Sequence, residues 1–169
     1  LQGYNVATQR LKEYLKTPHT KPYSIVLDLD ETVLDNSPYQ AENIILGRGY
    51  DSKSWDEWVN MKKAKAVPGA KEFLQFADKN GVKIYYISDR TESQLEATIE
   101  NLRAEGIPVQ TNDSVLLKNK DDKSGKVNRR EYVKNHTQLI MLFGDNLSDF
   151  DLFSSKSIDE INQIQILSI

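Results

Sequence analysis

Asp28, Asp30 and Glu31 place three carboxylates within four positions, directly after the apolar run Ile25-Val26-Leu27. Like charges that close repel, and each pushes its neighbour toward holding a proton. A divalent cation is the usual compensation, because its charge reverses the local electrostatic balance. Three further places carry groups of matching chemistry: Ser88-Asp89-Arg90, a basic segment at 118–131 (KNKDDKSGKVNRRE), and Gly144-Asp145-Asn146 with Asp149 beyond it. Carboxylates for a hard metal, a hydroxyl and a lysine are the parts that phosphoryl transfer requires.

Bringing separated segments together needs a scaffold whose elements end in one place. Residues 4–16 set Val6, Leu11, Tyr14 and Leu15 at helical spacing, and Pro18 and Pro22 stop that helix. Residues 23–29 form a continuous apolar strand, the pattern of a central parallel sheet covered on both faces. Ser54-Trp55-Asp56-Glu57 reads as a capping box opening a short helix through Met61. Gly69 to Lys79 reads as a helix closed by Asn80-Gly81. Strands are expected at 82–87, 114–117, 139–143 and the C-terminal IQILSI, with helices at 92–104 and 128–135. This alternation predicts one α/β domain over 1–169, three layers around a parallel sheet, with a helical insertion at 36–67. Ligands of such sheets bind beyond the carboxyl ends of the strands, where Asp28, Asp30, Ser88 and Asp145 are expected.

Composition narrows the classes. At 169 residues the chain is of single-domain size, and its net charge of −3 argues against a nucleic-acid binder working by bulk electrostatics. No apolar run approaches the about 20 residues of a membrane-spanning helix. The lack of an initial Met and of a signal peptide reads as a processed or trimmed chain. With no Cys there is no disulfide and no thiolate nucleophile. The two histidines, His19 beside Pro18 and His136 in a polar turn, read as surface residues, which leaves a histidine phosphatase or a binuclear metallophosphatase without its groups. The aspartate route is the one this chain is equipped for.

DLDET, ISDR, the lysine after KSG and GDNLSDFD, in that order, resemble the four motifs of the haloacid-dehalogenase superfamily. The longer wording LDLDETVLDNSPYQ, then W..WV, AVPGA.EF and GDNLSDF, is similar to the bacterial class C acid phosphatases of the lipoprotein e type. The resemblance implies that fold, Mg²⁺ as cofactor, and hydrolysis of phosphomonoesters such as nucleoside 5′-monophosphates and aryl phosphates. It implies Asp28 as nucleophile, Asp30 as general acid and base, Ser88 as a donor to the phosphoryl group, and Lys126, in preference to Lys123, as the neutralising cation. Asp28, Asp30, Asp145 and Asp149 would hold the metal, Asp30 through its backbone carbonyl. It further implies a bacterial cell-surface or extracellular setting, membrane attachment through an N-terminal lipid that this sequence does not carry, and pairing of two copies. Two features depart from the family: only LFSSKSIDEINQIQILSI follows GDNLSDFD where members run on to an aromatic segment, and Asp89 stands where Asn is usual.

Each motif alone has an ordinary explanation, DLDET as a helix N-terminus and Lys126 as a solvated charge; their joint order at strand ends decides for the site. In the insertion, Tyr39, Tyr50, Trp55 and Trp58 either anchor it to the domain or line a substrate pocket, with Trp55 favoured to stack on a base. Asp89 and Arg90 are expected beside the phosphate. Two other readings compete: a phosphatase of the same fold acting on a phosphoprotein tail, and a non-catalytic surface module. The first is disfavoured by Val-Leu-Asp-Asn-Ser-Pro-Tyr after the first motif, the second by the retention of Asp28, Asp30 and Lys126.

Overall fold

The computed structural model describes residues 1–144 and 164–169. Helix α1 spans Gln2–Leu15 and buries a stripe of Tyr4, Ala7 and Leu11. Val6, expected in that face, is 39% exposed, because it lies two residues from Tyr4 and so points away from the stripe. Strand β1, Tyr23–Leu27, is buried throughout, as its unbroken apolar run requires. The chain then turns tightly: the Leu29 carbonyl accepts from the N–H groups of Thr32, Val33 and Leu34, and Glu31 takes a positive φ of 66°.

The segment that follows holds β2 (Leu34–Asp35), helix α2 (Ser37–Ile45), helix α3 (Ser52–Met61) and β3 (Lys65–Ala66). Strands β2 and β3 pair antiparallel, a ribbon too short to show in the sequence pattern, and close the base of the excursion. The cap of α3 differs from expectation. Asp51 caps it, its carboxylate accepting from Ser54 N–H at 2.9 Å, so the helix opens before the Ser54–Glu57 pattern and Ser54 becomes its third residue. Asn101 latches the return of the excursion, donating to the Ala64 carbonyl at 2.8 Å and accepting its N–H at 3.2 Å.

Helix α4 (Ala70–Lys79), strand β4 (Lys83–Thr91), a 3₁₀ turn at Glu92–Gln94 and helix α5 (Leu95–Ala104) follow. Strand β5 (Val115–Lys118), helix α6 (Val127–His136), strand β6 (Gln138–Gly144) and strand β7 (Gln165–Ser168) complete the described chain. The five long-sheet strands run in the order β5-β4-β1-β6-β7, all neighbours parallel. Alternate residues of β1 face different layers. Ile25 and Leu27 join α1, α4 and α5 in the larger core, whereas Val26 meets Val133 of α6 with Leu139 and Leu142. This is the expected three-layer α/β arrangement with a central parallel sheet. Among the described residues no helix is long and apolar enough to cross a membrane.

Tyr4 ties the first layer to the functional edge: its hydroxyl donates to the Thr32 carbonyl at 2.5 Å, within the turn that follows β1. The ring lies against Gly69, which begins α4 with φ of 91° and whose Cβ, if present, would stand 3.1 Å from Tyr4 Cβ. The backbone conformation is strained for any side chain, and a Cβ would have to push Tyr4 back by a few tenths of an ångström. Gly69→Ala is therefore expected to lower unfolding free energy by about 1–3 kcal/mol in urea titrations, and an unchanged midpoint would show that Tyr4 and α4 separate freely.

Candidate active site

The centre of the carboxyl edge is Asp28. Its N–H continues the sheet by donating to the Phe143 carbonyl of β6 at 3.0 Å, and its carboxylate accepts from Lys126 Nζ at 2.6 Å. Both side chains are buried, each residue 8% exposed, so the contact is a desolvated ion pair. Lys126 stands at the N-terminus of α6, and Lys123, three residues earlier, is exposed. The loop that delivers it is built around Asp122 and Arg129. Asp122 accepts from the backbone N–H and hydroxyl of Ser124 at 3.1 and 2.8 Å. Arg129 donates to the carbonyls of Ser88, Leu116 and Gly125 and pairs with Asp122 at 3.2 Å, joining the ends of β4 and β5 to the lysine loop.

Asp30 lies two residues on and is gripped differently. Arg90 Nη2 and Nε donate to its Oδ1 at 2.7 and 3.1 Å, and Asn36 Nδ2 donates to the same oxygen at 2.8 Å. Arg90 is 2% exposed, with Nη1 on Thr98 Oγ1 at 3.1 Å. Its guanidinium, expected beside the phosphate, is held by Asp30 and Thr98. The reason is that β4 does not stop at Ile87 but runs to Thr91, so strand alternation turns Ser88 and Arg90 to one side and Asp89 to the other. Asp89, also expected at the phosphate, has a side chain 66% exposed and 3.6 Å from Arg129. Ser88 Oγ accepts from Arg90 N–H at 3.1 Å, leaving its own proton to donate.

The insertion aromatics divide between two tasks. Trp58, expected to line the substrate, donates from Nε1 to Asn36 Oδ1 at 2.9 Å and packs on the core edge. Tyr39 joins α2 to α3, its hydroxyl 3.0 Å from Ser54 Oγ. Trp55 and Tyr50 line an open cavity of about 430 Å³ with Glu31, Tyr39 and Asn43. The Arg90 guanidinium lies 5.5 Å from the Trp55 ring centre, which links this cavity to Asp30. Burial above all, with Asp30 and Asp35 adding their charge, pushes the Glu31 carboxyl above its ordinary value against the opposing hydrogen bonds of Asn36. Below the sheet edge, burial and then the charge of Asp28 push the Tyr4 hydroxyl upward.

A profile of the haloacid-dehalogenase superfamily, subfamily IIIB (acid phosphatase), matches residues 2–167. The chain belongs to this family. Two structures of the class C acid phosphatase from Bacillus anthracis are similar to it: one has 48% identity and a TM-score of 0.84 over 96% of this chain and 67% of that one. The other, with tungstate bound, has 47% identity and a TM-score of 0.85 over 96% and 68%. Acid phosphatase 1 of Solanum lycopersicum is 28% identical over 131 residues, 73% of this chain and 50% of its own length. The chain spans about half the length of the curated plant relatives it matches.

For a subfamily IIIB domain the donor chemistry at Asp28 and Asp30 suits a small hard cation. The side chain of Asp30 is engaged by Arg90 and Asn36, and that of Asp28 by Lys126. Asp145 and Asp149, expected to complete the set, lie outside the described residues; in sequence Asp145 comes two residues after Phe143, whose carbonyl receives Asp28 N–H. Sequence reasoning overlooked Asn36, Thr98 and Arg129. Asn36 stands inside the conspicuous stretch 26–40, but nothing in its spacing says which carboxylate it serves, and nothing in the basic run 118–131 sets Arg129 apart from its neighbours.

The Asp122 carboxyl is held below its ordinary value first by the Ser124 hydroxyl, then by Ser124 N–H and the charge of Arg129, against the opposing pull of burial. A carboxyl depressed in the folded state adds stability above its unfolded pKa and loses it as pH falls through the folded one. The stability difference between wild type and Asp122→Asn should therefore shrink as pH drops below about 4, measured by thermal unfolding across the acid range; a pH-independent difference would sink this account of the loop.

Proposed function

We propose that this chain is a Mg²⁺-dependent acid phosphatase that hydrolyses phosphomonoesters in two steps through a phosphorylated Asp28. The observation that carries the reading is the buried Lys126–Asp28 pair at 2.6 Å on the carboxyl edge of β1. A carboxylate aimed at a phosphate dianion needs positive charge beside it, and Lys126 supplies it where water does not screen. An Asp28 oxygen forms its bond to phosphorus while the ester P–O bond breaks, and Asp30 gives its proton to the departing oxygen. In the second step Asp30, now a carboxylate, takes a proton from water whose oxygen attacks phosphorus, releasing phosphate and restoring Asp28. Ser88 donates its hydroxyl proton to a phosphoryl oxygen throughout.

Asp28, the Asp30 carbonyl, Asp145 and Asp149 are the residues that would hold Mg²⁺, whose charge lets a carboxylate and a phosphate approach one another. Tungstate in the similar Bacillus anthracis enzyme supports the reading, since it is an oxyanion of phosphate-like shape. The cavity at Trp55 and Tyr50 supports substrates with a ring on the leaving group, nucleoside 5′-monophosphates and aryl phosphates. Export to a bacterial surface, a lipid anchor and pairing of two copies are part of the proposal and rest on the family resemblance.

Hydrolysis of p-nitrophenyl phosphate with Mg²⁺ and with EDTA tests the chemistry. Turnover is expected to vanish with EDTA, and Asp28→Asn to lose about 10³-fold or more in kcat; a variant that keeps the wild-type rate would remove Asp28 from the mechanism. For the cavity, Trp55→Ala should raise KM for a nucleoside 5′-monophosphate about tenfold, from the lost stacking, and leave glycerol phosphate nearly unaffected. Equal losses on both would show that Trp55 serves only to seat the insertion.

A further inference from the structure

The two oxygens of Asp30 are not equivalent. Oδ1 accepts from Arg90 Nη2 at 2.7 Å, Asn36 Nδ2 at 2.8 Å and Arg90 Nε at 3.1 Å. Oδ2 has one partner among the described residues, the same Nε at 3.2 Å. A proton on Oδ1 would point into donors on every side; one on Oδ2 would not. Asn36 itself has no freedom to choose. The indole of Trp58 is a donor only, so the Asn36 atom 2.9 Å from Nε1 must be the amide oxygen, and the NH₂ group is thereby turned onto Asp30. Asn36 is 1% exposed, so no water competes for either end of the amide.

We propose that Trp58 and Asn36 are positioning residues for the acid–base group. Trp58, carried by α3 of the insertion, sets the amide of Asn36, and Asn36 together with Arg90 locks the Asp30 carboxyl so that Oδ2 exchanges the proton with leaving group and water. The insertion then does more than wall the substrate: its seating on the domain sets the direction of proton transfer. Asn101 on the return of the insertion and Thr98 behind Arg90 both belong to α5, so one helix backs both ends of this relay. The inference rests on Asp30 being the general acid of the proposed function.

The test is the leaving-group dependence of kcat/KM, which reports the step that expels the alcohol. A p-nitrophenolate leaves without a proton, whereas an alkoxide from glycerol phosphate needs one. In Mg²⁺-supplied protein, Asp30→Asn should raise the ratio of p-nitrophenyl phosphate to glycerol phosphate kcat/KM about 100-fold or more, the scale of general acid catalysis. Trp58→Phe, which keeps a ring and deletes only the N–H, and Asn36→Ala should raise the same ratio about tenfold, part of that effect. A purely structural role lowers both substrates together and leaves the ratio where it was, and that result for both variants overturns the proposal. If Asn36→Ala does not fold, the ratio for Trp58→Phe decides alone. If Asp30→Asn itself leaves the ratio unchanged, the failure belongs to the acid–base assignment and the relay falls with it.

Discussion

Two charge pairs at the end of β1 are the constraint around which this domain is arranged: Asp28 with Lys126, buried on both sides, and the partly exposed Asp30 with the buried Arg90. Carboxylates this close, at the edge of an apolar core, are tolerable only with cations fixed beside them. The cations come from opposite directions. Arg90 arrives along β4, the neighbouring strand on one side, and Lys126 from the loop before α6, on the layer that covers the other face of the sheet. A parallel sheet with crossover helices is what allows residues 60 and 98 positions away in the chain to meet the same strand end.

The supports of these pairs are mostly backbone caps and amide contacts. Arg129 gathers three carbonyls from β4, β5 and the lysine loop, so the loop cannot drift without exposing buried acceptors. On the other side α5 acts as a rail. Gln94 just before it holds Asp56 of α3, Thr98 holds Arg90, Asn101 holds Ala64, and Glu105 just after it accepts from Ala66 N–H. The insertion is thus seated along the full length of one helix, which is why its aromatic residues can reach both a cavity and, through Asn36, the Asp30 carboxylate.

Glu31 shows how a single turn separates roles within one acidic cluster. Its positive φ lets the chain fold back on Leu29, and the carboxyl leaves the Asp28–Asp30 edge for the cavity of Tyr39, Tyr50 and Trp55. Two of the three crowded carboxylates therefore stay at the sheet edge, and the third lines the cavity.

Much of this was legible in the chain itself. The unbroken apolar run before Asp28, the alternation of strand and helix signals, and the order of the four motifs determined a parallel α/β domain with its chemistry at one edge, because hydrophobic periodicity and strand-end position are local properties. The bounds of β1, α4, α6 and β6 follow from the same local rules to within two or three residues. What the spacing did not contain was partnership. That Arg90 pairs with Asp30 depends on β4 running past its apolar stretch, which pairing with β5 allows. That Trp58 orients an amide while Trp55 faces a cavity depends on where α3 docks, and that Asp51 and not Ser54 caps α3 depends on the path of the loop before it. Those are decisions of tertiary packing: a hydrogen-bond partner tens of residues away leaves no trace in the periodicity of the segment that carries it.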